Sequence, residues 1–195
     1  MARRRTVDTW KNKRWYSIIA PKIFKNVEFG YTPADDENKV IGRTVETTLH
    51  QITKDFRQRH IILKFKIFNV ENDKAYTKFV GHRLTREYVR SKVRRGKTRV
   101  DSIDDVRTKD NYLVRVKAFL LTNKRAKTSR EKEIRARLSE YVNMKAKETS
   151  FEEFVQAMIF GKYVDELKDI CGDIWPIARV EFRKSEVLEE PANSS

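Results

Sequence analysis

From Ile61 to Phe68 the chain alternates. Ile61, Leu63, Phe65 and Ile67 occupy one register, and Ile62, Lys64, Lys66 and Phe68 the other. A period of two sustained over residues 61–68 describes a strand with one face committed to a core. One strand leaves backbone N–H and C=O groups unpaired along both edges, so the rest of the chain must supply neighbours. Glu71-Asn72-Asp73-Lys74 has turn chemistry, and residues 75–80 read as the return strand of a hairpin.

Further strands can be read around this nucleus. Residues 15–20 form a short strand stopped by Pro21, with Trp15 expected to anchor it in the core. Residues 30–39 are a loop by composition. Arg43, Val45, Thr47 and Leu49 share one face of a strand, and Thr44, Glu46 and Thr48 the other. A second hairpin is expected at Asp110-Asn111, two residues that tolerate positive φ. Residues 99–108 lead into it, and Tyr112, Val114, Val116 and Ala118 face inward on the way out. Between the hairpins Thr85 can cap a short helix, with Leu84, Tyr88 and Val89 inward and Arg86, Arg90 and Arg94 outward.

After Thr122 the period changes. Thr128-Ser129-Arg130-Glu131 and Ser150-Phe151-Glu152-Glu153 both have the pattern of a capping box. The first opens a helix with Ile134, Leu138, Tyr141 and Val142 as its apolar stripe. The second opens one with Phe151, Phe154, Val155, Met158 and Ile159, ended by Gly161. A third helix carries Tyr163, Val164, Leu167, Ile170 and Cys171, and a last strand covers residues 177–182. The expected class is α+β, a curled or barrel-like, mostly antiparallel sheet with packed C-terminal helices. The expected organisation is a basic disordered arm (1–14), one domain (15–184) and an acidic tail (185–195). Within that domain, residues 15–124 are rich in strands and 128–172 are helical.

Charge indicates the partner. The chain of 195 residues carries 43 Lys+Arg against 28 Asp+Glu, a formal +15. The excess is concentrated: residues 1–14 carry +5, and residues 82–99 and 115–137 carry +7 each, which leaves the remainder at −4. Localised charge of one sign is the footprint of a polyanion, and RNA fits it. No apolar run approaches ~18 residues, so no membrane span is expected. Cys171 is the single cysteine, which excludes a disulfide and a cysteine-based zinc site. The chain reads as intracellular.

Candidate RNA contacts follow from the same segments. Arg3, Arg4, Arg5, Lys11, Lys13 and Arg14 surround Trp10, cations interleaved with a ring that can stack on a splayed base. In the second segment His82, Arg83, Arg86, Arg90, Arg94, Arg95, Lys97 and Arg99 are candidates, and in the third Lys124, Arg125 and Lys127. Arg86, Arg90 and Arg94 recur every fourth residue, roughly 6 Å apart along a helix. Like charges at that spacing repel, so the stripe makes sense once an anion neutralises it. No Gly-rich phosphate loop is present. Asp101, Asp104 and Asp105 could be imagined as a metal-dependent nuclease, yet strand alternation splits them between two faces. A free-standing RNA-binding regulator is the other alternative.

Several stretches are distinctive together: Asp8-Thr9-Trp10-Lys11-Asn12-Lys13-Arg14-Trp15-Tyr16, Ala20-Pro21, Gly42-Arg43 with Glu46, and Ala75-Tyr76-Thr77 through Gly81-His82 and Leu84-Thr85-Arg86. Val93-Arg94-Arg95, Arg99-Val100-Asp101, Lys124-Arg125-Ala126 and Trp175-Pro176 continue the pattern. The chain resembles the archaeal and eukaryotic small-subunit ribosomal protein family S-three-a, also called S-one-e, in an archaeal-type form. The resemblance covers residues 8–184. It implies a β-barrel-like body with packed helices on the platform of the small subunit, in the cytoplasm. The implied partners are the 3′ region of the ribosomal RNA near the messenger exit and neighbouring ribosomal proteins. No cofactor, no metal and no catalytic residue are implied. Asp110-Asn111 departs from the family's expected Asp-Gly at the second hairpin.

Overall fold

The computed structural model describes Trp10 and residues 13–191. In chain order the elements are β1 (Arg14–Ile19), β2 (Glu28–Ala34), β3 (Thr44–Thr48), α1 (Leu49–Thr53), β4 (Ile61–Glu71), β5 (Lys74–Leu84) and α2 (Arg86–Lys92). There follow β6 (Arg99–Arg107), β7 (Leu113–Thr122), α3 (Thr128–Glu148), α4 (Phe151–Ile159), α5 (Lys162–Gly172) and β8 (Ile177–Glu189). The strands form one sheet in the order β2-β1-β5-β8-β7-β6, with β3 and β4 branching from β5. The α+β class holds, and the sheet is open, not a closed barrel. Pairing is antiparallel except between β1 and β5.

β4 is the alternating strand: Leu63, Phe65 and Ile67 are fully buried, whereas Lys64, Lys66 and Phe68 are exposed. Asn72 (φ 49°) and Asp73 (φ 61°) form the two-residue connection to β5. Two consecutive left-handed residues match the twist of a tight hairpin. Asn111 (φ 61°) does the corresponding work between β6 and β7. β8 is last in sequence yet lies between β5 and β7. It pairs along β7 and meets β5 only at Gly81, His82 and Arg83.

Three helices cover one face of the sheet, α3 over β6 and α5 over β8. Ile134, Leu138 and Tyr141 of α3, Phe154 and Met158 of α4, and Leu167 of α5 close over Val114, Val116, Ala118 and Leu120. The alternate residues of β7, Phe119 and Leu121, face the other way and meet Leu84 and Val89, the buried residue of α2. A smaller cluster under β1 joins Tyr16, Ile18, Ala34, Val40, Ile67, Val70 and Ala75. No helix among the described residues is long and apolar enough to cross a membrane.

Several expectations are corrected. Residues 28–34 are a strand, because pairing with β1 satisfies a backbone whose composition suggests a loop. Trp15 is 61% exposed and its neighbour Tyr16 is buried. β1 therefore has the opposite phase to the one expected, and a one-residue shift exchanges its two faces. Leu49 opens α1 and is not the end of a strand. The Thr128 box does not form, since α3 starts one residue early with Lys127 as its N-cap. At Ser150 the N-cap half of the box forms: Ser150 Oγ accepts from the Glu153 N–H at 3.4 Å. Arg14 belongs to β1, not to an arm, and residues expected in the acidic tail extend β8 to Glu189. The rest of the expected arm, apart from Trp10 and Lys13, lies outside the described residues, as do residues 192–195.

Candidate nucleic-acid interface

α2 is anchored by one tyrosine. The Tyr88 ring stacks on His60, with centroids 3.8 Å apart, and Lys92 Nζ sits 5.0 Å from its centre. Its hydroxyl donates to Glu181 Oε1 at 2.8 Å and accepts from Arg179 Nη1 at 2.7 Å. Burial and the Glu181 hydrogen bond push the Tyr88 pKa up to about 12, so the donor is retained at any physiological pH. This clasp ties the short helix to β8 and sets its outward face.

On that face Arg86 and Arg90 are exposed. The helix stops at Lys92, so Arg94 continues the stripe from the following turn, not from the helix. Arg95 and Lys97 flank Gly96, which has φ +79° and allows the turn. Thr98 then joins this loop to the one after β7: its N–H donates to Thr122 Oγ1 at 2.9 Å, and its hydroxyl accepts from the Ala126 N–H at 3.0 Å. Lys124, Arg125 and Lys127 are exposed on that second loop. Among the described residues none of these eight cations has a carboxylate within ion-pair distance. Two basic segments far apart in sequence thus become one surface, with Glu87 as the acid on α2 itself.

The fold adds two cations that were not singled out from sequence. A cleft of about 280 Å³ opens between the end of α2 and β7–β8, lined by Ser91, Lys92, Arg94, Lys97 and Arg179 with Leu121 and Ala178. Lys92 sits inside an expected basic segment. Arg179 had no local signal, because it arrives from β8. Several cations around one cleft suit a phosphate, which accepts hydrogen bonds from each.

Other candidates lie elsewhere. His82 is a correction: it is 4% exposed, and Ser185 Oγ and the Phe182 carbonyl lie 2.6 and 3.0 Å from its ring nitrogens. It locks β5 to β8 and is not presented to a phosphate or base. Arg83 donates to Glu46 at 2.8 Å, and Arg99 to Asp101 at 2.7 Å. Lys13 and Arg14 stand at the head of β1 with Trp10, which is 63% exposed and has Lys13 Nζ 4.0 Å from its ring centre. That group is separated from α2 by the length of β5 (11 residues), roughly 33 Å at strand rise. Arg3, Arg4, Arg5 and Lys11 lie outside the described residues. The three aspartates go to different partners: Asp101 to Arg99, Asp104 to Ser102 and Ser139, and Asp105 to both donors of the Arg115 fork at 2.7 Å.

The family model described as the Ribosomal S3Ae family matches residues 1–191. The chain belongs to that family. It is a ribosomal protein, not an enzyme. Among relatives, the Small ribosomal subunit protein eS1 of Methanopyrus kandleri is 48% identical over 188 residues, 94% of this chain and 89% of its own length. The proteins of that name from Saccharolobus islandicus and Saccharolobus solfataricus are each 45% identical over 186 residues, covering 95% of this chain and 89% of theirs. The likeness of this S3Ae member to those relatives thus runs over most of both chains.

Proposed function

We propose that the protein is a structural constituent of the small ribosomal subunit and that it clamps folded ribosomal RNA with the surface built on α2 and its two neighbouring loops. The observation that carries this reading is the cluster of Arg86, Arg90, Arg94, Arg95, Lys97, Lys124, Arg125 and Lys127, none of them in an ion pair among the described residues. A folded protein that gathers so much like charge does so at a cost in self-repulsion, which phosphate neutralises. Placement on the platform, against the 3′ region of the RNA near the messenger exit and among neighbouring ribosomal proteins, rests on the family resemblance. A sucrose gradient of native lysate tests the first part: the chain should co-sediment with small subunits at low and moderate salt. Sedimentation as a free protein would favour a stand-alone RNA-binding regulator. Crosslinks from the Arg86–Lys97 surface to RNA outside the 3′ region would overturn the placement.

A further inference from the structure

The register of the sheet lines up two rows of side chains on the face away from α3, α4 and α5. Lys117 belongs to that face because its neighbours Val116 and Ala118 are buried on the other. One row runs Asp105, Arg115, Glu186, Gly81, Lys64, Glu46 across six strands. Its charges alternate in sign with Gly81 as the gap, so the row neutralises itself. The adjacent row, two residues along each strand, runs Ile103, Lys117, Lys184, Arg83, Ile62, Thr48. Here three cations stand directly opposite one another on neighbouring strands, with no acid between them. Strands lie about 4.8 Å apart, and like charges directly opposite destabilise a sheet.

The alternating row reaches into the cationic one at two points. Glu46 accepts from Arg83 at 2.8 Å, and Glu186 pairs with Lys184. Both pairs are well exposed, and such pairs hold their partners weakly. Lys117 has no carboxylate within ion-pair distance among the described residues. Asp105 feels its charge but is bound by both donors of the Arg115 fork. Arg183, the extra residue of the β8 bulge, adds a cation next to Lys184. The two rows and the bulge together carry six cations against three carboxylates, so internal pairing leaves an excess.

That excess is continuous with the surface around α2, because Arg83 stands three residues before Arg86, the first residue of the helix. A single acidic side chain could meet one of the three cations. A phosphodiester strand carries charge at successive units and can meet all of them while also engaging α2. We propose that the RNA surface continues from α2 across the sheet, with Arg83, Lys184 and Lys117 receiving successive phosphates of the same RNA. The proposal rests on the RNA-binding reading above and extends the contact onto β5, β8 and β7.

The test uses the full chain with two labelled probes, a short RNA hairpin stem and one three times its length. For the Lys117→Gln, Lys184→Gln variant, affinity for the long stem, read by anisotropy, should fall roughly ten-fold or more, as two charge-assisted contacts are lost. Its salt slope on that stem should drop by about 0.7–0.9 per lysine. Affinity for the short stem should change much less. Lys132→Gln, Lys147→Gln removes the same charge from the exposed side of α3 and serves as the control. Lys117→Arg, Lys184→Arg should bind both stems as the parent does. If the folded Gln variant loses no more long-stem affinity than the control, the proposal is overturned. If it binds RNA as the parent does yet fails to enter small subunits, the row docks an acidic protein segment instead, which overturns it too. Failure of the α2 reading looks different: the Arg86→Gln, Arg90→Gln, Arg94→Gln variant would then bind the short stem as well as the parent does.

Discussion

His82 shows how one side chain can hold a sheet together and make its stability depend on pH. The Phe182 carbonyl can only accept, so Nε2 carries the proton and Nδ1 accepts from the Ser185 hydroxyl. Burial lowers the His82 pKa from its ordinary 6.5 to about 4, against a smaller upward pull from the Phe182 carbonyl. Above pH 6.5 the imidazole is neutral in both folded and unfolded chains and contributes no pH dependence. Between 6.5 and about 4 the unfolded chain binds a proton that the folded chain refuses, so stability falls as pH falls through that window. The loss is on the order of 3 kcal/mol at about 1.4 kcal/mol per pKa unit. Urea denaturation across this range should show it, with His60, also lowered chiefly by burial, acting in the same direction. His82→Gln should be less stable near neutrality but flatter with pH; an unchanged slope would assign the effect to other groups. Gly81, one residue earlier, has no space to spare: a Cβ there would lie 2.2 Å from the Ser185 carbonyl oxygen. Gly81→Ala should cost on the order of 1–3 kcal/mol, read as a lower urea midpoint, by forcing β5 and β8 apart.

At the scale of elements, α2 and α3 divide the work between function and stability. α2 is a short helix with Val89 as its buried residue, held by the Tyr88 clasp, and its arginines point away from the core. Replacing Arg86, Arg90 and Arg94 together by Gln should leave the melting transition unchanged or slightly raised. Relief of like-charge repulsion is worth a few tenths of a kcal/mol. RNA affinity should fall, since each charge-assisted hydrogen bond lost is worth on the order of 1.5–3 kcal/mol before neighbours compensate. A lower melting temperature with unchanged RNA binding would make the stripe structural. α3 behaves the other way. Its Ile134, Leu138, Tyr141, Val142 and Ala146 are buried against the sheet while the rest of the helix is largely solvated. Leu138→Ala should lose about 2–5 kcal/mol by leaving a cavity. Its RNA affinity, measured where the variant is still folded, should match the parent.

Across the whole molecule, the described cations that no carboxylate engages gather around α2 and the two loops beside it. A formal +15 concentrated at such surfaces makes RNA binding an exchange of phosphates for released counterions. The logarithm of affinity should fall linearly with the logarithm of salt, by about 0.7 to 0.9 per phosphate neutralised. Eight clustered cations should therefore give a slope of several units. A flat response, measured by filter binding of ribosomal RNA fragments, would point to stacking or protein contacts as the main attachment. The α2 triple variant should lower that slope.

What the sequence determined by itself was whatever depends on neighbours along the chain. The alternation of residues 61–68, the left-handed turn at Asn72-Asp73, the Ser150 cap and the apolar stripe of α3 were all legible, because the forces that set them act over a few residues. The concentration of charge in three segments was equally plain, and the family could be recognised from motifs spread along the chain. Tertiary structure decided the phase of β1, since the buried side of that strand depends on Ala34, Val40 and Ala75 closing over Tyr16 and Ile18. It also decided the fate of His82, which reads as a surface residue among arginines until β8 arrives with Ser185 and Phe182. The cleft beside α2 required Arg179 from that same late strand. Local periodicity states that a residue has an inside and an outside. Only the pairing of distant strands settles which is which, because burial belongs to the whole packed molecule.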